Sequence, residues 1–69
     1  MNNEQIAKKL IELRGSKTQK EVSEAIGVSQ AAYAMYETGQ RVPRDSIKIK
    51  IASYYKKSIQ SIFYAKEYN

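Results

Sequence analysis

Sixty-nine residues provide for one domain and leave little room for a second, and a chain this short buries only about 60% of its unfolded surface, so its core is thin. With no cysteine and no histidine, disulfides and thiolate metal sites are excluded, and the usual zinc ligand and neutral-pH proton carrier are missing. Twelve Lys/Arg against seven Asp/Glu give a net charge of +5, which suits either a polyanionic partner or simply a soluble surface.

In chain order the apolar residues keep a helical period, and no stretch alternates like a strand. Ile6, Leu10 and Leu13 form one stripe of a first helix over about 3–14. Gly15-Ser16-Lys17 breaks the pattern, and Thr18, with Glu21 three residues on, matches a capping box opening a second helix over 18–26. Val22, Ala25 and Ile26 are expected to face inward there, with Gly27 as a left-handed cap. Ser29 can cap a third helix over 29–38, with Ala32, Tyr33 and Tyr36 inward and Gly39 ending it. Pro43 sits where a fourth helix can begin. That helix, over 44–56, has Ile47, Ile51, Ala52 and Tyr55 as its inner face. Ser58 opens a short fifth helix over 58–64, with Ile59, Ile62 and Phe63 closing over the others. The expected fold is an all-α, compact five-helix domain covering 1–69, stabilised by helix packing or a partner subunit. No apolar run approaches the roughly 20 residues that span a bilayer. Met1-Asn2-Asn3-Glu4-Gln5 lacks the basic start and apolar stretch of a signal peptide, so a cytoplasmic location is expected.

The informative stretch is Gln19 to Gly39, QKEVSEAIGVSQAAYAMYETG. Two short helices meet at a turn on Gly27, and the small Ser23 permits the second to cross the first closely. Val28 and Tyr33 pin the second helix to the core. Its outer face is then Gln30, Ala31, Ala34 and Met35, without a charge. For a solvated helix in so charged a chain that is odd; for a helix lying against base edges it is apt.

From Ile6 to Phe63 the sequence resembles the lambda-repressor-like, XRE or Cro/C1-type, helix-turn-helix family. The marks are Arg14, Thr18-Gln19, Gly27-Val28-Ser29, Tyr36-Glu37-Thr38-Gly39, Arg41, Pro43 and Ile51-Ala52, in that order and spacing. The chain departs from the family in a turn after the first helix about two residues shorter than is common, in Ser23 for the usual alanine, and in Lys48 where leucine is frequent.

The resemblance implies a DNA-binding regulator, a repressor acting through double-stranded DNA, whose third helix is the recognition helix. Gln30, in its first turn, can bond adenine bidentately. Ala31 and Ala34 can touch a thymine methyl, or can be plain surface helix formers. Met35 can make apolar base contact or pack on the domain. Gln19 and Ser29 are expected at phosphates, with Ser29 also capping. Lys17, Lys20, Gln40, Arg41 and Arg44 complete the electrostatic footprint, while Lys8, Lys9, Lys56 and Lys57 read as solvated. Arg14 and Glu37 are expected to form a semi-buried bridge that orients the recognition helix.

Other classes fit less well. One Asp, no His or Cys and no glycine-rich phosphate loop argue against an enzyme, and no cofactor, metal or small-molecule ligand is expected. A protein-interaction module or antitoxin-like autoregulator is the serious alternative, because Tyr54, Tyr55, Tyr64, Tyr68 and Phe63 offer aromatic surface. A lone recognition helix reads few base pairs, so a homodimer on an inverted-repeat operator is expected. The region of helices 4 and 5 with Phe63 and Tyr64 is expected to contribute its interface.

Overall fold

The computed structural model describes residues 2–65. It is all-α, with α1 (Asn3–Arg14), α2 (Gln19–Ile26), α3 (Gln30–Thr38), α4 (Asp45–Tyr55) and α5 (Ile59–Phe63). The expected helices are all present. From α2 onward each begins one residue later than expected, because Thr18, Ser29, Arg44 and Ser58 are extended cap residues. A cap residue accepts the first bonds of a helix without taking its dihedral angles.

The caps explain why these short segments hold their bounds. Asn2 opens α1 with a full capping box: its Oδ1 accepts the Gln5 N–H at 2.9 Å, and Gln5 Oε1 accepts the Asn2 N–H at 2.9 Å. At α2 the Thr18 hydroxyl accepts the Glu21 N–H at 3.0 Å, but among the described residues Glu21 makes no return bond, so only half of the expected box forms. Gly27 ends α2 at φ 76° and Gly39 ends α3 at φ 79°, left-handed conformations that cost any residue with a Cβ about 1–2 kcal/mol. Pro43 does not open α4. It is buried one position ahead of the cap residue Arg44, which supplies no side-chain cap bond.

The core gathers Ile6 and Leu10 of α1, Val22 and Ile26 of α2, Tyr33 and Tyr36 of α3, Ile51 and Ala52 of α4, and Ile62 and Phe63 of α5. Helix α3 packs chiefly on α1 and α2, whereas α4 packs on α2 and α5. Two expectations are corrected here. Ala25 is exposed and Ser23 is buried in its place: the stripe of α2 is centred on Val22, Ser23 and Ile26, where α3 crosses. Phe63, expected both to close over the other helices and to lie at a subunit interface, is 1% exposed and belongs to the core, so only the first expectation holds; the side chain that remains outside is Tyr64. Tyr68, also named for that interface, lies outside the described residues.

Lys48 explains its own departure from an apolar pattern. Its Nζ donates to the Tyr64 hydroxyl at 2.8 Å. It also lies 5.6 Å from the Phe63 ring centroid and 4.8 Å from that of Tyr64. The stem covers apolar surface while the ammonium rests on the negative faces of two rings.

Candidate nucleic-acid interface

The unit of interest is α2, the turn at 27–29, and α3. Close crossing of the two helices rests on Ser23, whose Oγ donates to the Lys20 carbonyl at 2.9 Å, so its burial leaves no hydroxyl unsatisfied. Gly27 reverses the chain, and the Val28 N–H donates to the Ser23 carbonyl at 3.0 Å. Ser29 then caps α3, its Oγ accepting the Ala32 N–H at 3.0 Å.

This leaves α3 with two contrasting faces. Inward lie Tyr33, Tyr36 and Glu37, all buried. Outward lie Gln30, Ala31 and Met35, exposed, and Ala34, half-buried. The outer face carries no charge. Thr38 is also exposed, but its hydroxyl donates back to the Met35 carbonyl at 3.2 Å. Cations stand around this face rather than on it. Lys17 and Lys20 flank the start of α2, and Arg41 and Arg44 follow the end of α3 with Gln40; all five are exposed. The Lys17 ammonium leans over the Tyr54 ring, 6.0 Å from its centroid.

A polar network fixes α3 from within. Arg14 Nε donates to Glu37 Oε2 at 2.7 Å, and Arg14 Nη2 to Glu37 Oε1 at 3.0 Å. This is a two-pronged bridge across α1 and α3, with side-chain exposures of 22% for Arg14 and 3% for Glu37. The third guanidinium nitrogen, Nη1, donates to the Lys17 carbonyl at 2.8 Å and ties down the loop before α2. Gln19 Nε2 donates to Glu37 Oε1 at 3.0 Å. Burial pushes the Glu37 carboxyl up, but the bonds from Arg14, Gln19 and Tyr33 together hold it below the ordinary carboxylate range. The same bridge raises Arg14 against a smaller opposing effect of burial. Glu37 is therefore an ionised anchor, compensated on both oxygens.

Sequence reasoning placed Gln19 at a phosphate without seeing that its amide is held by Glu37. The sequence did contain the signal, since Gln19 and Glu37 flank a turn that folds two helices together. The hydroxyl pair of Tyr33 and Tyr55, 3.2 Å apart, was also missed, because an aromatic residue at helical spacing reads only as core.

Two short helices at a left-handed glycine turn, the second with a bare outer face and a braced inner one, define a helix-turn-helix domain. A family model described as helix-turn-helix matches residues 6–62. The chain belongs to this lambda-repressor-like, XRE or Cro/C1-type family of DNA-binding regulators. No curated protein and no solved structure matches the chain. No helix among the described residues is long and apolar enough to cross a membrane.

Proposed function

We propose that the protein is a sequence-specific transcriptional repressor that lays α3 in the major groove of double-stranded DNA. The observation that carries this reading is the uncharged outer face of α3, ringed by the cations at the ends of α2 and α3. A groove-facing helix needs small or amide side chains at its surface and positive charge at its margins, where the phosphates run.

Gln30, Ala31, Ala34 and Met35 face the bases. Gln19 and Ser29 face phosphates, helped by backbone N–H groups at the helix starts: Thr18 takes only that of Glu21, leaving those of Gln19 and Lys20 for an anion. Lys17, Lys20, Gln40, Arg41 and Arg44 add the sequence-independent attraction. Arg14 and Glu37 hold the recognition helix rather than touch DNA. With so few hydrogen-bonding groups on the reading face, one copy discriminates modestly. A homodimer on an inverted repeat, with half-sites about 34 Å apart, supplies the remainder. The exposed Tyr64, held by Lys48, is the aromatic contribution of the α4–α5 side to that dimer.

Selection from a randomised duplex pool at fixed salt tests the reading. Enrichment of a two-fold symmetric site supports it, and weak retention without enrichment turns the assignment to a protein-interaction module. With the site in hand, Gln30→Ala removes about 1–3 kcal/mol of preference at one base position per half-site. Lys20→Ala weakens all sequences alike and flattens the salt slope by about one unit per lost contact.

A further inference from the structure

Two polar contacts, one turn apart on α3, link four helices. Tyr33 is fully buried on the inner face of α3. Its hydroxyl lies 3.2 Å from that of Tyr55, in the last turn of α4. One turn further along α3, the Glu37 carboxylate receives Arg14 of α1 and Gln19 of α2. A helix carries its side chains together, so a turn of α3 at the Tyr33–Tyr55 contact also moves the Glu37 carboxylate against Arg14 and Gln19.

The Tyr33–Tyr55 bond is the one side-chain hydrogen bond between α3 and α4 among the described residues. Helix α3 otherwise rests chiefly on α1 and α2, and apolar contacts resist rotation about a helix axis poorly because they have no preferred direction. Side-chain tips stand about 5–6 Å from that axis, so a rotation of roughly 10° moves the outer face by about 1 Å.

We propose that Tyr55 is a positioning residue for DNA reading. Its hydroxyl sets the rotation of α3 against α4 and, because Tyr33 and Glu37 ride on the same helix, the orientation of the Gln19 amide at the start of α2. This inference rests on the DNA-binding reading above, so its test carries one arm that needs no DNA.

The variant is Tyr55→Phe, with Tyr54→Phe as control. The Tyr54 ring packs edge-on against Tyr55 at 5.0 Å, but its hydroxyl takes no part in these polar contacts. Binding is titrated against the selected duplex and against duplexes changed at one base facing Gln30, at two salt concentrations. Nitrogen-15 spectra follow the Arg14 Nε–H and the Gln19 side-chain amide. Tyr55→Phe is expected to lower discrimination between matched and mismatched duplexes about 3–10-fold, the scale of one hydrogen bond. The salt slope stays unchanged, and both spectral signals shift. Tyr54→Phe is expected to do neither. Tyr33→Phe breaks the same link from the other side and stands in if Tyr55→Phe folds poorly.

Unmoved Arg14 and Gln19 signals overturn the proposal, as does an affinity loss equal on all duplexes. A wild-type protein without sequence preference overturns the DNA reading instead, and the spectra then decide alone whether Tyr55 orients α3.

Discussion

The two ends of this small domain are held by different physics. The α1–α3 part is braced by directed bonds: a two-pronged Arg14–Glu37 bridge, the Gln19 amide, and side-chain caps on all three helices. The α4–α5 part has no side-chain cap on α4, ends α4 on a lysine in the left-handed region, and closes with a helix from Ile59 to Phe63. It is secured by apolar burial of Ile51, Ile62 and Phe63 and by Lys48 resting on two rings. Directed bonds fix angles, while apolar burial fixes proximity. The helix-turn-helix unit therefore sits in the part where angles are fixed, and the remainder acts as the support against which it is packed.

The severest way to break this contrast is Arg14→Ala. It leaves Glu37 buried and short of its charged partner, and about 3 kcal/mol of stability is expected to disappear in urea denaturation. That is the lower end for a broken buried pair, because Arg14 is itself partly exposed. The pH dependence is expected to weaken as well. In the native protein Glu37 titrates below the ordinary carboxylate range, so its contribution is present above that range and is lost as pH falls through the lowered value. Without Arg14 the carboxyl moves back up, so acidification is expected to cost the variant less stability than it costs the native protein.

Next in size is Gly27→Ala, which forces a Cβ onto a residue at φ 76°. A loss of about 1–2 kcal/mol in thermal unfolding is expected. Space is not the cause, since the nearest atom to the added carbon is the flexible Lys50 Nζ at 3.8 Å. The smallest effect runs the other way and sharpens the contrast from the α4–α5 side. Lys56 holds φ 56° at the end of α4, so Lys56→Gly is expected to raise stability by up to about 1 kcal/mol, read as an upward shift of the urea midpoint.

Much of the fold was legible in the sequence because its punctuation is chemical. Gly27, Gly39, Thr18, Ser29 and Ser58 each do at a helix end what their side chains predispose them to do. The errors have a common origin in reading a side chain by its type instead of its neighbours. Ala25 is apolar and was assigned inward, but a close helix crossing needs the inward place for Ser23. Phe63 was assigned both to the closing face of the fifth helix and, as an aromatic residue, to a subunit interface; the core takes it, so only the first assignment holds. The capping box of Asn2 and Gln5 stood in plain view at the spacing that was recognised at Thr18, where only half of the box forms. In the candidate site, the outer face of α3 followed from periodicity. The Gln19–Glu37 and Tyr33–Tyr55 bonds did not, since periodicity gives the face of a residue and never its bonding partner.

The Tyr33–Tyr55 pair also sets an upper limit to the conditions this protein tolerates. Burial, and then the bond to Tyr55, push the Tyr33 hydroxyl far above its ordinary value of 10.0, and burial raises Tyr55 too. Folded chains keep both protons where unfolded chains release them. Stability from this pair is therefore complete below about pH 10 and drains away above it, as the unfolded tyrosines ionise and the folded ones do not. In a spectrophotometric titration, phenolate absorbance from these two rings should appear together with the loss of helix and at the same pH. The two hydroxyls thereby double as an optical reporter of whether the domain is folded.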